Sequence, residues 1–379
     1  MHLLLLVPAI LVMGYMQPDS AITAIVDTPL PPWITVSPDS SIWLVRTVLR
    51  NPPIAELAMG ELRLAGVRFN PRTSASGRTT TFVGLSLMRS PEGTAIPIAG
   101  MPDDPRVKSF AWSPDGSLAV FTQETPRGVE LWLLSTTDAS ARRLTGPIIS
   151  LVAEAYPQWL SSGDGILCTV IPEGRAALPA PDPVPQGPLI QETSGVPSPL
   201  RTLQDLLRRP HDEALFEHHL TTEIALVRLD GSLEVVVNRC MVMGFSPSPD
   251  GRFVLVTTVE RPFPYSVTAE RFPGRTRVWD RSGVLAYEVE RHGMLDRIPI
   301  ARGSVQKGRR DVVWREDADA TLSWAEALDG GDAGVEAELR DRVYTLAAPF
   351  NGEPRMLAEL ENRFSGVTWS SDTLAWFVG

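Results

Sequence analysis

Two groups of side chains in this sequence have the residue types needed to bind a ligand or to carry a proton. The first group places three histidines near three glutamates: His211, His218, His219, Glu213, Glu217 and Glu223. Imidazole and carboxylate groups are common zinc ligands. The adjacent His218 and His219, however, project about 100° apart on a helix and cannot both easily face one ion. We therefore interpret this segment as a solvated, charged helix face and predict no metal site.

The second group consists of three arginines in or beside a loop rich in proline and aromatic residues, at positions 260–274. These residues are Arg261, Arg271 and Arg275. A guanidinium can hold a carboxylate through paired hydrogen bonds, so the three are candidate substrate-binding residues. The alternative is that they form ordinary surface ion pairs.

Sequence motifs for known catalytic chemistry are missing. The sequence contains no G-x-S-x-G, no glycine-rich phosphate loop and no H-E-x-x-H. Asp329 and Asp332 flank two glycines, but a calcium loop needs denser carboxylate spacing, so a hairpin connection is the favoured interpretation. The sequence therefore predicts no catalytic residues within the chain and no cofactor.

Composition limits the classes of protein to which the chain can belong. Its 379 residues include 35 basic and 45 acidic side chains, and the resulting net charge of −10 argues against nucleic-acid binding. The 34 prolines and 29 glycines disfavour an all-helical fold. Cys168 and Cys240 are too few for a disulfide framework or a four-thiolate zinc site. Two buried thiols are favoured, and a single bridge stays open.

The amino terminus begins with an apolar run at residues 3–16. This run is shorter than the ~20 residues that a membrane-spanning helix needs, and it suits the apolar region of a secretory signal. We therefore predict a leader at 1–20, a periplasmic or secreted protein, and no stable membrane span. If the run is instead a buried first segment, the protein is cytoplasmic.

The strands that position the candidate residues are indicated by one recurring sequence element. It comprises an apolar or aromatic residue, a turn rich in Ser, Pro, Asp and Gly, and then an alternating strand. Copies begin near residues 36, 112, 159, 248, 314 and 369. Proline presets the turn, aspartate bonds its own backbone, and glycine accepts positive φ. Repeated turns and strands predict an all-β fold, a β-propeller with about six recognisable blades. A β-sandwich is the alternative, although it does not explain the recurring element.

Three hairpins and two interruptions refine this prediction. Hairpins are expected around the turns at 230–231, 282–283 and 351–352. Residues 51–66 predict a short helix that leads into a strand. Residues 172–199 are too rich in proline for a sheet and predict a surface excursion. The following residues, 202–220, predict a helix with Thr202 as its N-cap and with Pro210 dividing it into two pieces.

An ordered set of segments then resembles a known family. The matching segments are 25–29, 53–58, 61–66, 192–195, 201–207, 212–216, 248–263, 271–273 and 314–327. With these residues the chain resembles the N-terminal propeller region of glutamyl endopeptidases, a branch of the prolyl oligopeptidase family of serine peptidases. The resemblance implies a propeller followed by an α/β-hydrolase domain with a Ser-Asp-His triad. It also implies cleavage of peptides after glutamate, with the propeller limiting access to the catalytic cavity.

The sequence departs from that family because it ends in what reads as a blade strand, without the hydrolase domain. We therefore expect a leader at 1–20 and an incomplete propeller at 21–379, with an insertion at 172–222. The expected function is the access-gating part of a truncated serine peptidase, inactive alone, whose partners are peptide substrates and a separately encoded α/β-hydrolase domain. The alternatives are a stand-alone propeller that binds a protein or peptide, and a propeller enzyme with its own site.

Overall fold

The computed structural model describes residues 18–180, 203–371 and 374–378. Six successive segments of the described chain form antiparallel units, which we call blades 1 to 6. Blade 1 contains α1 (Ser20–Val26), β1 (Trp33–Val36), β2 (Trp43–Val48), α2 (Ile54–Leu57), β3 (Leu62–Leu64), β4 (Val67–Phe69), β5 (Phe82–Met88) and β6 (Ile96–Pro97). Blade 2 contains β7 (Val107–Trp112), β8 (Leu118–Thr125), β9 (Gly128–Ser135) and β10 (Ser140–Arg143).

The remaining blades follow in chain order. Blade 3 contains β11 (Gln158–Trp159), β12 (Gly165–Val170), α3 (Pro210–Leu220), β13 (Thr221–Arg228) and the first part of β14 (Leu233–Pro247). Blade 4 contains the rest of β14, β15 (Phe253–Val259), β16 (Gly274–Asp280) and β17 (Leu285–His292). Blade 5 contains β18 (Arg309–Trp314), β19 (Thr321–Ala327), β20 (Asp341–Ala347) and β21 (Arg355–Leu360). Blade 6 contributes β22 (Gly366–Ser371) and β23 (Leu374–Val378).

Each blade is an antiparallel meander in which successive strands pair. In the described chain, blades 1 to 5 supply four such strands each, and blade 6 supplies one hairpin. Blades 3 and 4 share β14, which pairs with β13 through its first half and with β15 through its second half. Blades 1 and 2 are joined by one residue pair between β5 and β7, Phe82 with Val107. This succession of antiparallel meanders confirms the predicted β-propeller architecture.

The Ser-Pro-Asp turns join the first and second strands of their blades, and their geometry explains the recurring residues. In blade 2, the Ser113 hydroxyl donates to Asp115 at 2.7 Å and accepts the amide of Leu118 at 3.0 Å. The same pattern recurs in blades 1 and 4. Gly116 has a φ of 73°, where a side chain would be strained. The serine and aspartate therefore close each turn, and glycine permits the backbone in blades 2 and 4, where blade 1 instead has Ser40 at a φ of 62°.

The core lies between neighbouring blades, and alternation along the strands distributes side chains to either side. On β8, Val120 packs in the cluster shared with blade 3, whereas Phe121 packs in the cluster shared with blade 1. The aromatic residue before the turn also connects blades. The indole of Trp159 donates to the carbonyl of Ala111 at 3.0 Å, and that of Trp314 donates to Ser246 at 3.1 Å.

The local predictions have mixed outcomes. The hairpins β13–β14, β16–β17 and β20–β21 are confirmed, as is the short helix α2 followed by β3. The prediction of one helix from 202 divided at Pro210 is wrong, because α3 begins at Pro210 and residues 203–209 are not helical. Proline fits the first turn of a helix, where its missing N–H is not needed. Thr202, the predicted N-cap, lies outside the described residues.

Both cysteines are free, as favoured from the sequence. Cys168 is fully buried on β12, and Cys240 is partly buried on β14. Burial raises the pKa of both thiols, that of Cys240 to about 11. Neither side chain is therefore a nucleophile near neutral pH.

Candidate functional site

Three insertions leave their blades at the same end of the propeller. Each connects the second and third strands of its blade: residues 49–81 in blade 1, the connection from β12 to β13 in blade 3, and residues 260–273 in blade 4. In an antiparallel meander these connections lie at the end opposite the turns between first and second strands. The insertions therefore gather away from the Ser-Pro-Asp turns. We call residues 62–69, 203–220 and 260–273 the cap.

The cap has its own apolar core, made from all three insertions. Phe216 on α3 is 1% exposed and packs edge-to-face against Phe263 and Phe272, at centroid distances of 5.2 and 5.6 Å. Main-chain hydrogen bonds connect the hairpin β3–β4 to the other two parts. The amide of Gly66 donates to Asp205 at 3.0 Å, and the amide of Ala269 donates to Ala65 at 2.8 Å. The cap is therefore a packed unit that covers one end of blades 1, 3 and 4.

A polar cluster joins α3 to the blade 4 insertion. The guanidinium of Arg261 lies 2.7 Å from the carboxylates of both Glu213 and Glu217, one helical turn apart. The hydroxyl of Tyr265 donates to Glu213 at 2.6 Å. Burial, followed by this carboxylate, raises the pKa of Tyr265 to about 12. We call these four residues the latch, because they connect two insertions by side chains.

The predicted arginines lie in three different environments. Arg261 belongs to the latch, with Glu213 and Glu217 as its partners. Arg275 on β16 lies 2.6 Å from Glu260 and 3.2 Å from Glu288. Arg271 lies in a short 3-10 turn at Ala269–Arg271, and its guanidinium forms no ion pair with any residue of the described ranges. Whether any of the three binds a substrate stays a prediction.

An open groove lies beside the latch, between the blade 4 insertion and the end of β17. Its volume is about 650 Å³, and it is lined by residues that include Arg261, Phe263, Arg291, His292 and Met294. Arg291 was not singled out from the sequence, because it has no motif around it and is far from residue 261 along the chain. Arg261 is already held by Glu213 and Glu217, and Glu260 also lines the groove, so its guanidiniums are not both open to an added carboxylate.

His219 corrects the interpretation of the histidine segment as a solvated face. It is 2% exposed, and its ring packs 4.9 Å from Phe69 of the hairpin β3–β4. Neither ring nitrogen has a hydrogen-bond partner in the part of the chain that the structure describes. Burial, with smaller contributions from His218 and Arg175, lowers the pKa of His219 to about 4. The sequence prediction was wrong for this residue because the last turn of α3 enters the cap core.

A second cleft lies at the same end, between blades 1 and 2, and has a volume of about 180 Å³. The Lys108 ammonium is 6% exposed, 3.4 Å from the Glu124 carboxylate and 2.7 Å from the Thr81 hydroxyl. Glu124 also accepts from Asn70 at 3.2 Å and from Thr73 at 2.8 Å. Strands distant in sequence supply these groups, so no local signal predicts them. Because these groups satisfy one another's charges and hydrogen bonds, they are suited to holding the loop at 70–81 in place.

The described histidines are not arranged for nucleophilic catalysis. Nδ1 of His292 contacts the carbonyl of Gly293 at 3.0 Å, and no hydrogen bond joins a histidine to a serine, threonine or cysteine within the described ranges. In the same ranges, no three His, Cys, Asp or Glu side chains are grouped so as to hold a metal ion. Asp329 lies in the connection between β19 and β20, and its carboxylate accepts hydrogen bonds from Arg340 and Arg363. None of the described helices is long and apolar enough to cross a membrane.

The comparisons with solved structures find only distant neighbours. The putative TolB from Agrobacterium tumefaciens is 13% identical, with a TM-score of 0.36 over 88% of this chain and 82% of that one. Pyrococcus horikoshii acylaminoacyl peptidase is 9% identical, with a TM-score of 0.40 over 86% of this chain and 39% of that one. No protein-family profile matches the sequence.

The comparisons with curated sequences are closer. A probable glutamyl endopeptidase, chloroplastic, from Oryza sativa subsp. japonica is 35% identical over 382 aligned residues. The protein of the same description from Arabidopsis thaliana is 34% identical over 380. The alignments cover 96% of this chain, which spans only about two-fifths of either relative, 40% and 39% of their lengths. The resemblance drawn from the sequence is therefore confirmed: the chain is similar to part of the length of two probable glutamyl endopeptidases.

Proposed function

We propose that these residues form the access-gating propeller of a glutamyl-endopeptidase-like serine peptidase. The observation that carries the proposal is the cap, a packed unit built from three insertions at one end of the blades in a relative of such peptidases. A cap of this kind restricts which chains pass that end, so it favours short or unfolded peptides over folded proteins. Peptides are accordingly the proposed substrates.

We propose further that the nucleophile belongs to an α/β-hydrolase part and that residues 1–379 do not hydrolyse peptides by themselves. Acyl transfer by a serine needs a hydrogen-bonded base and oxyanion donors. The absence of a histidine–hydroxyl pair among the described residues supports this assignment. Separate encoding of the hydrolase part remains part of the proposal.

Selectivity for glutamate is proposed to involve Arg271, whose guanidinium has no carboxylate partner within the described ranges. Arg261 and Arg275 already hold glutamates of this chain, so a substrate carboxylate would have to displace Glu213, Glu217 or Glu260. Replacing an existing charged pair gains little, because the new pair only substitutes for the old one. Arg271 is therefore the strongest of the three candidates for binding a substrate carboxylate.

The proposed location is outside the cytoplasm, with the apolar run at residues 3–16 as the signal. Both relatives carry the word chloroplastic in their names, which supports a targeted protein without identifying the compartment. Fractionation of cells that express the full chain, followed by sequencing of its amino terminus, tests this. A full-length chain recovered from the cytoplasm would refute it.

A labelling experiment tests the central proposal. The 379-residue chain is treated with a fluorophosphonate serine probe and assayed on a short peptide containing glutamate, alone and after mixing with the hydrolase part of a relative. We expect no label and no cleavage from the chain alone. In the mixture we expect cleavage of the short peptide and no cleavage of a folded protein that contains the same peptide sequence. Labelling of the chain alone would refute the proposed division of labour, and capture of unrelated ligands without cleavage would favour a stand-alone binding module.

A further inference from the structure

We propose that a pocket at the base of the cap binds a small oxyanion, a carboxylate or a phosphate, through Arg175. The pocket lies where blade 3 gives rise to its insertion, and its volume is about 200 Å³. Its lining residues are Pro172, Arg175, Ala176, Glu217, His218, Thr221 and Arg239. Binding here is independent of hydrolysis and of the three arginines at 261–275.

Arg175 is the feature that calls for a ligand. One of its terminal nitrogens donates to the carbonyl of Thr221 at 3.1 Å, and its Nε is buried without a hydrogen-bond partner among the described residues. No carboxylate of the described residues forms an ion pair with it. Two arginines of the neighbouring cap are compensated by carboxylates, since Arg68 pairs with Asp205 and Arg209 pairs with Asp212. A partly buried guanidinium without a counter-charge is costly, and an anion would remove that cost.

Each other charged side chain around the pocket has an oppositely charged partner, so Arg175 is the lining cation that lacks a carboxylate among the described residues. Arg239 is 3.4 Å from Glu223 and also donates to the carbonyl of Glu173. Glu217 lines the pocket, but it is already engaged by Arg261 of the latch. Burial and the charge of Arg175 lower the pKa of His218, which also lines this pocket.

Pocket size and donor geometry define the class of ligand. Two guanidiniums match the paired oxygens of a carboxylate or a phosphate. A volume of about 200 Å³ admits a small anion or a single acidic side chain. The ligand is therefore a free small oxyanion or the acidic group of a peptide.

Binding to the 379-residue chain tests the proposal. Thermal unfolding and calorimetry are run with sodium phosphate, sodium N-acetylglutamate and a short peptide carrying one glutamate, each matched in ionic strength with sodium chloride. The variant Arg175→Gln removes the charge and the paired donors. Arg175→Lys keeps the charge and tests whether the fold tolerates a change here. Arg143→Gln is the matched control, because Arg143 is 53% exposed and pairs with Glu130 on blade 2.

We expect at least one probe to raise the unfolding temperature of the wild type and of Arg143→Gln. The dissociation constant should increase at least tenfold in Arg175→Gln and less in Arg175→Lys. A preference for the glutamate probes would identify an acidic peptide group, and a preference for phosphate would identify a phosphate ligand. The proposal is overturned if no probe binds the wild type, or if Arg175→Gln, shown to be folded by circular dichroism, binds as the wild type does.

Discussion

The buried imidazole of His219 makes the stability of the cap depend on pH in a calculable way. In the unfolded chain this group takes a proton near its ordinary pKa of 6.5, whereas in the folded chain burial lowers the pKa to about 4. Between these values the unfolded state binds more protons than the folded one. The stabilisation is therefore fully present above pH 6.5 and is lost as the pH falls towards 4.

The size of the effect follows from the two pKa values. A difference of this size corresponds to about 3 kcal/mol in the limit, and about 2 kcal/mol of it is lost between pH 7 and pH 5. The described groups that face the ring are His218 on α3, Arg175 in the blade 3 insertion and Phe69 on β4. None of them is an acid, so nothing in this environment stabilises the imidazolium.

The assay is urea unfolding at pH 7 and pH 5, on the wild type and on His219→Phe and His219→Leu. Both variants remove the titrating group and the two unpaired nitrogens. They should lose about 2 kcal/mol less than the wild type between the two pH values. His211→Gln on the same helix is the control and should behave as the wild type. Equal pH dependence in the wild type and both His219 variants would refute the reasoning.

Three further predictions concern other parts of the chain. Asp341 is fully buried and accepts hydrogen bonds from two arginines and from the amide of Phe364. In a urea titration, Asp341→Ala should therefore lower the free energy of unfolding by about 3–5 kcal/mol. Glu359 pairs with Arg342 at a partly exposed site, so Glu359→Ala should lower it by less than about 1 kcal/mol. Arg261→Gln should speed hydrogen exchange in α3 relative to the wild type and leave exchange in blade 2 unchanged. The latch would be contradicted if the variant changed the exchange of both regions equally. Cys168 and Cys240 should resist a thiol reagent at pH 8 until urea is added, and rapid labelling without urea would contradict their burial.

The propeller was readable from the sequence because its determinants are local. Ser113, Asp115 and Gly116 close their turn through contacts within six residues, and the alternation on β8 assigns Val120 and Phe121 to opposite faces. The same local logic identified the three hairpins and α2. The resemblance to glutamyl endopeptidases likewise depends on short segments in order, and the sequence comparisons confirm it.

Only the tertiary structure decided what the helix α3 and the arginines do. Pro210 was compatible with either an interruption or a first turn, and the packing of α3 into the cap selects the first turn. His219 was expected in water, yet it is buried because Phe69, 150 residues earlier in the chain, covers it. Arg261 pairs with two glutamates of another insertion, whereas Arg175 pairs with no carboxylate of the described residues. Such pairings join segments distant in the chain, so residue type and spacing alone could not determine them.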